Sequence, residues 1–288
     1  MVASLSARIG VVGMSEGNGH PYSWSAIFNG YDRVAMENCG FPVIPRYLEE
    51  QRWPDARIPN AEVVAAWTQD NRLSEHLAAA ANIPKVCRTY DELLDSSDAI
   101  LLARDDAENH WSFVEPALRL GKPIYIDKPI ALRVNDLDKI YEAEQYPGQV
   151  FTCSALRYAD ELTLAEKDFE EIGVIHSIIA VTPKSWAKYG VHIIEAVLKN
   201  LHNSDEPVEF APSGLRHDGG ASLTVHWESG IETELHAMGT AQASLNLSIH
   251  GAHGVKELAF NQPFYAFRAA LSDFFNLVMF AHQLQKTA

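Results

Sequence analysis

The stretch "PIYIDKPIAL", Pro123–Leu132, joins a short apolar run to an acid, a lysine and a proline. The run before Asp127 reads as a buried strand. Strands usually close in Gly, Asn or Ser turns. Here Asp127 and Lys128 stand beside the stiff ring of Pro129 at the edge of a core. Charge taken out of water costs free energy unless it is paired. The stretch therefore points to work other than packing.

Outward from it, strand and helix alternate. "ARIGVVG", Ala7–Gly13, reads as a strand, and a helix follows from about Tyr22 with Pro21 near its first turn. "AEVVAAW" (Ala61–Trp67) and Ala99–Ala103 read as strands, with helices in "NRLSEHLAAAAN", "TYDELLDS", "NHWSFVEPALRLG" and "VNDLDKIYEAEQ". Short apolar strands separated by helices suit right-handed βαβ units and a parallel sheet covered on both faces. Residues 1–148 are thus expected to form a doubly wound α/β domain. About thirty extra residues, 31–60, interrupt it, with a helix expected in "PRYLEEQRW". Their role reads equally as a surface or subunit contact and as a cover over a site.

The turn cluster "YPGQ" at Tyr146–Gln149 marks a boundary. Beyond it "QVFTCSALRY" and "VIHSIIAVTP" read as strands, and "ADELTLAEKDFEEIG" and "WAKYGVHIIEAVLKNL" as helices. Four further strand-like runs lie between Ala221 and Phe260, with His250 and His253 at a hairpin turn. An aromatic helix closes the chain. Residues 149–288 are expected to form an α+β domain with an open, mainly antiparallel sheet.

Composition narrows the classes. The 288 residues are 47% hydrophobic and carry a formal net charge of −15. That charge argues against nucleic acid and anionic membranes as partners. Three separated cysteines, Cys39, Cys87 and Cys153, show no metal or disulfide spacing, and the twelve histidines form no HExxH. A reduced, cytoplasmic chain without metal is expected, with no signal peptide at its start.

The turn after the first strand, Gly13-Met14-Ser15-Glu16-Gly17-Asn18-Gly19, opens a helix. Helix N-termini after Gly-rich turns suit pyrophosphate, and the dinucleotide fingerprint is GxGxxG. Ser15 replaces its second glycine and Asn18 its third. The end of the second strand ordinarily carries an acid for the adenosine ribose. Thr68 holds that position, with Asp70 and Arg72 after it. A neutral residue followed by arginine favours a 2′-phosphate and Asp70 opposes it. Asp70 and Arg72 also read as solvated charges at a helix start.

With these parts in view, "DKP" resembles the "EKP" motif of the Gfo/Idh/MocA family of glucose–fructose and inositol oxidoreductases. "YDELLDSSDAILLARDDAENHWSFVEPALRLGKPIYIDKPIAL" is similar to that family's middle region, "SALRY" to the first strand of its second domain, and "YGVHIIEAV" to its "DxGxH" helix. The resemblance implies a Rossmann domain, an α/β domain with an open antiparallel sheet, NAD(P)(H) with a slight lean to NADP, and a sugar or polyol substrate. A homodimer or homotetramer is implied as well.

It also implies roles. Lys128 touches the substrate oxygen beside the nicotinamide, where burial tunes a lysine for proton exchange. Asp127 orients Lys128 or the ribose, and Lys128–Pro129 is expected to be cis. The cofactor set is Gly13, Ser15, Gly17, Asn18, Gly19, Thr68, Arg72, Ala103, Arg104, Asp105, His110, Asp127 and Lys128. His110 is expected near the nicotinamide and His20 at the pocket mouth. His192 is the proton relay, and Arg157, Tyr158 and Lys184 are further substrate contacts. Lys188 stands where the family has an acid, on the same helix face as His192. This favours a neutral imidazole and an anionic substrate, and Tyr189 is the alternative acid. Two other readings stay open: transient cofactor use in sugar hydrolysis or rearrangement, and a cofactor-binding regulatory or scaffold protein without turnover.

Overall fold

The structure is a computed structural model and describes residues 6–287, with side chains through residue 278. Residue contacts divide the chain into two compact units, Met1–Thr152 with Phe267–Ala288, and Cys153–Ala266.

The first unit is built on β1 (Ala7–Val12), β2 (Ala61–Trp67), β3 (Lys85–Val86), β4 (Ala99–Leu102), β5 (Ile124–Ile126) and β6 (Val150–Phe151). All pairings are parallel and the order is β3-β2-β1-β4-β5-β6. This is the dinucleotide-binding order, in which the chain reverses direction between β1 and β4. The helices are α1 (His20–Asn29), α2 (Arg33–Glu37), α3 (Val43–Glu49), α4 (Asn71–Ala80), α5 (Tyr90–Ser96), α6 (Trp111–Arg119) and α7 (Val134–Glu142). Ile9, Val11, Ile100, Leu102, Ile124 and Ile126 are fully buried, each contributing roughly 1.5–3 kcal/mol. Gly10 permits close packing: a Cβ there would collide with Ser97 Oγ and lie 2.6 Å from Leu93 Cδ2.

The second unit carries β7 (Ile175–Thr182), β8 (Pro207–Pro212), β9 (Ala221–Trp227), β10 (Glu232–Ala237), β11 (Asn246–Gly251) and β12 (Val255–Ala259), in the order β12-β11-β7-β10-β9-β8. Only β7 and β10 pair in parallel among these described strands. α8 (Glu166–Ile172) precedes the sheet, and α9 (Trp186–Leu198) lies on β7 and β10. The alternating burial of β7 and β10 is that of a sheet with one covered face.

Several expectations need correction. "QVFTCSALRY" is not one strand: Val150–Phe151 completes the first sheet, and Ala155–Tyr158 is a 3-10 turn held by Ser154, whose Oγ accepts from Leu156 N. β3 and β8 were not foreseen. α1 begins at His20, ahead of Tyr22, and in the 31–60 segment the helix expected in "PRYLEEQRW" runs Val43–Glu49, with a further short helix at Arg33–Glu37. His253 lies in the β11–β12 turn, whereas His250 belongs to β11. The closing helix α10 (Pro263–Thr287) groups with the first unit from Phe267 onward. There Phe274 meets Tyr125 and Phe151, with ring centroids 5.6 and 5.9 Å apart.

Candidate active site

In the first unit the predicted cofactor residues gather at the carboxyl ends of β1, β4 and β5. Ser15 Oγ donates to Asp105 Oδ1 (2.6 Å), and Asp105 N donates back to Ser15 Oγ (3.0 Å). The serine in the second-glycine position thus ties the β1 turn to the end of β4. Asn18 Nδ2 donates to Asp127 Oδ2 (2.7 Å), and Asn18 Oδ1 accepts from His20 N (2.9 Å). The asparagine in the third-glycine position ties the same turn to the end of β5 and satisfies the first N–H of α1.

Asp127 is fully buried and central. Its Oδ2 also meets His20 Nδ1 at 2.6 Å, and its Oδ1 accepts from Lys128 N at 2.8 Å. Burial acts to raise its pKa, but His20, Lys128 and Asn18 outweigh burial and hold the carboxyl well below the usual range. The His20 ring is stacked on Trp24 (5.0 Å) and meets Phe267 edge-on (5.1 Å). Lys128 is 5% exposed, so it is not a surface lysine. Its peptide bond to Pro129 is cis.

Gly17 has φ +74° and open space where a Cβ would stand. Among the described residues, the N–H groups of Glu16, Gly17 and Gly19 carry no hydrogen bond. Unspent donors on an open glycine turn at a helix start fit a pyrophosphate. Behind the turn, a Cβ at Gly19 would meet Ile44 Cδ1 at 2.7 Å and Phe41 Cγ at 2.8 Å. Tyr47 donates to Ser23 Oγ at 2.6 Å, with burial pushing its phenol above the usual range. The 31–60 segment therefore braces the turn and α1.

The neighbouring strand ends are locked into the same frame. Thr68 Oγ1 donates to Asp70 O (2.6 Å) and meets Ser74 Oγ (2.9 Å), so its hydroxyl serves its own turn. Asp70 caps α4 through Arg72 N (2.8 Å), while the Arg72 side chain is exposed. Gln69 clamps Met14 through both backbone groups (3.1 and 2.7 Å). Arg104 reaches Gln69 Oε1 (3.1 Å) and pairs with both oxygens of Asp106 (2.9 and 2.6 Å). Burial acts to raise the Asp106 pKa, but the bonds from Arg104 and Asn109 hold it low. Ala103 continues the strand ladder through its N–H to Val12 O (2.9 Å). His110 is wholly buried, with its ring nitrogens 3.0 Å from Ile130 O and 2.8 Å from Arg104 O. It clamps the segments after β4 and β5 together.

In the second unit, His192 Nδ1 lies 2.6 Å from Ser154 Oγ. Arg157 pairs with both oxygens of Glu195, and Glu195 Oε1 also accepts from Ser154 N (3.3 Å). The bond to Glu195, set against burial, pushes the Arg157 guanidinium up. Tyr189 stands edge-on to His192 at 5.0 Å and accepts from Lys184 Nζ at 2.6 Å. Tyr158 and Lys188 are half-buried.

Gln69, Asp106, Ser154 and Glu195 were not singled out in the sequence. Glu195 had a usable signal, lying three residues after His192 on one helix face. Gln69 and Ser154 had none, because a lone polar residue in a turn shows no periodicity.

The sequence model of the Gfo/Idh/MocA family, an oxidoreductase family with an NAD-binding Rossmann fold, matches residues 8–154. The chain belongs to this family. Its Gfo/Idh/MocA fold is similar to that of myo-inositol 2-dehydrogenase from Lactobacillus plantarum, with a TM-score of 0.68 at 15% identity over 96% of this chain and 90% of that one. It is also similar to GenD2 from gentamicin A biosynthesis in complex with NAD, with a TM-score of 0.65 at 15% identity over 88% and 73%. An uncharacterized Saccharomyces cerevisiae protein, YMR315W, is 31% identical over 151 residues. That match covers 49% of this chain and 41% of the yeast protein. Among the described residues no helix is long and apolar enough to cross a membrane.

Proposed function

We propose that the protein is an NAD(P)-dependent oxidoreductase acting on a CH–OH group, or its ketone, of a sugar, polyol or related small molecule. One observation carries the reading. The glycine turn after β1 is tied by Ser15 to β4 and by Asn18 and His20 to Asp127, next to the buried Lys128. This is the switch point where open α/β sheets bind dinucleotides. The family description and the NAD complex of GenD2 support the same cofactor.

Gly17, Gly19 and the α1 start would hold the pyrophosphate, with Gly13 allowing the turn. Thr68 and Arg72 would border the adenosine ribose, and the exposed Arg72 supports the lean to NADP(H). Ala103, Arg104, Asp105 and His110 would form the wall after β4. A bound nicotinamide supplies the hydride acceptor or donor at its C4. Lys128 polarises the substrate oxygen and exchanges its proton. Asp127 fixes the backbone that carries Lys128. His192, with Tyr189 beside it, would act as a proton relay, and Arg157, Tyr158 and Lys188 would contact substrate. A homo-oligomer working in the cytoplasm is part of the same reading.

The test is turnover of a panel of polyols, sugars and sugar acids, myo-inositol included, with NAD⁺ and NADP⁺, read as reduced nicotinamide. Lys128→Ala should lower kcat at least about a hundredfold. Substrate consumed without net reduction would favour the hydrolase or isomerase reading. Cofactor binding without turnover of any panel member would favour the scaffold reading.

A further inference from the structure

Lys188 lies one helical turn before His192 on α9, so that position offers His192 a cation and no carboxylate. The His192 ring is instead met at Nδ1 by Ser154 Oγ, at 2.6 Å. Ser154 is fully buried.

A hydroxyl has one proton to give and two lone pairs. Leu156 N donates to one lone pair of Ser154 Oγ at 3.1 Å. Among the described residues, no carbonyl or carboxylate oxygen accepts the Ser154 proton, and His192 Nδ1 is the acceptor within reach. Glu195, the acid bonded to Ser154 N, is engaged by the Arg157 guanidinium as well. Ionisable residues close by in the sequence of the same unit include Lys188 and Tyr189 on α9, Lys184 before it, and Cys153 and Tyr158 around the 3-10 turn. Beneath α9, the buried face of the sheet presents Ile178, Ala180, Thr233 and Leu235, which do not titrate.

We infer that Ser154 donates its proton to Nδ1 and so holds neutral His192 as the Nε2–H tautomer. The functional consequence rests on the reading of His192 as a site residue. A carboxylate only accepts hydrogen bonds, so it would keep the proton on Nδ1 and leave Nε2 as a base. Serine reverses the assignment. Nε2 becomes a hydrogen-bond donor, which suits a carbonyl oxygen better than a carbinol proton. Ser154 is therefore a positioning residue, and the substrate class it favours is a ketone or aldehyde, with His192 polarising the oxygen.

The tautomer is read directly by nitrogen NMR of the full chain with ¹⁵N-labelled histidine. The pH is set to about 8.5, two units above the ordinary imidazole pKa. His192→Gln identifies the signals by their loss. Wild type and Ser154→Thr should show protonated Nε2 and an Nδ1 shifted by an incoming hydrogen bond. Ser154→Ala should lose that shift, and Ser154→Asp should move the proton to Nδ1. Protonated Nδ1 in wild type, or an Nδ1 signal unmoved in Ser154→Ala, would overturn the inference. A parallel NADH titration separates the two claims. If NADH fails to bind wild type, the cofactor reading falls while the nitrogen shifts still decide the role of Ser154.

Discussion

At the scale of single residues, Asp127 decides most. Its partners Asn18, His20 and Lys128 hold the carboxyl ionised against the cost of its burial. Removing one partner of a buried charged set is costly, whereas the set as a whole adds little net stability. Asp127→Asn should therefore destabilise the protein by about 2–3 kcal/mol at pH 7, read as a shift in the urea midpoint. The sign with pH follows from the depressed pKa. A group held lower in the folded state contributes fully above its unfolded pKa, about 3.9, and loses that contribution as pH falls through the folded value. The gap between wild type and Asp127→Asn should shrink as the pH falls below about 4. A gap that widens below about pH 4 would contradict this account. The sequence showed Asp127 and Lys128 at a strand end but not their partners. Ser15 and Asn18 looked like damage to a fingerprint, and they are the bonds that close it.

At the scale of elements, the turn between β1 and α1 sets the geometry of the site. Gly17 sits at positive φ, where a side chain costs roughly 1–2 kcal/mol. Its Cβ would enter open space rather than protein. Gly17→Ala should thus lower stability by only about 1 kcal/mol. It should weaken NADH binding about tenfold or more by obstructing the pyrophosphate approach; unchanged affinity in a fluorescence titration would place the pyrophosphate elsewhere. The long, apolar or strongly periodic elements were legible: β1, β2, β4, β7, α4 and α9. β3 was missed because two residues hold too little pattern, and β8 because Pro207 and Pro212 bound a fully exposed run. Val150–Phe151 pairs with β5, a long-range choice that local alternation does not encode.

At the scale of the whole molecule, the Rossmann unit is completed from the far end of the chain. Phe274 packs fully buried against Tyr125 and Phe151. Arg268 Nε donates to Ala56 O at 2.9 Å. Phe274→Ala should cost about 3–5 kcal/mol, measured by thermal unfolding; a loss under about 1 kcal/mol would mean that the aromatic cluster carries little of the fold. The alternation of strand and helix made the two-part architecture legible. It could not show where the tail docks, because an amphipathic helix names its apolar face but not its receiver.

The central claim is that the β1 turn cradles a nicotinamide dinucleotide. The direct measurement is a titration with NADH and with NADPH, followed by energy transfer from the six tryptophans. It is run on wild type and on Lys128→Ala. We predict saturable, micromolar binding of one reduced cofactor, retained in Lys128→Ala because the lysine serves the substrate oxygen. Absence of binding for both cofactors up to millimolar concentration would contradict the account.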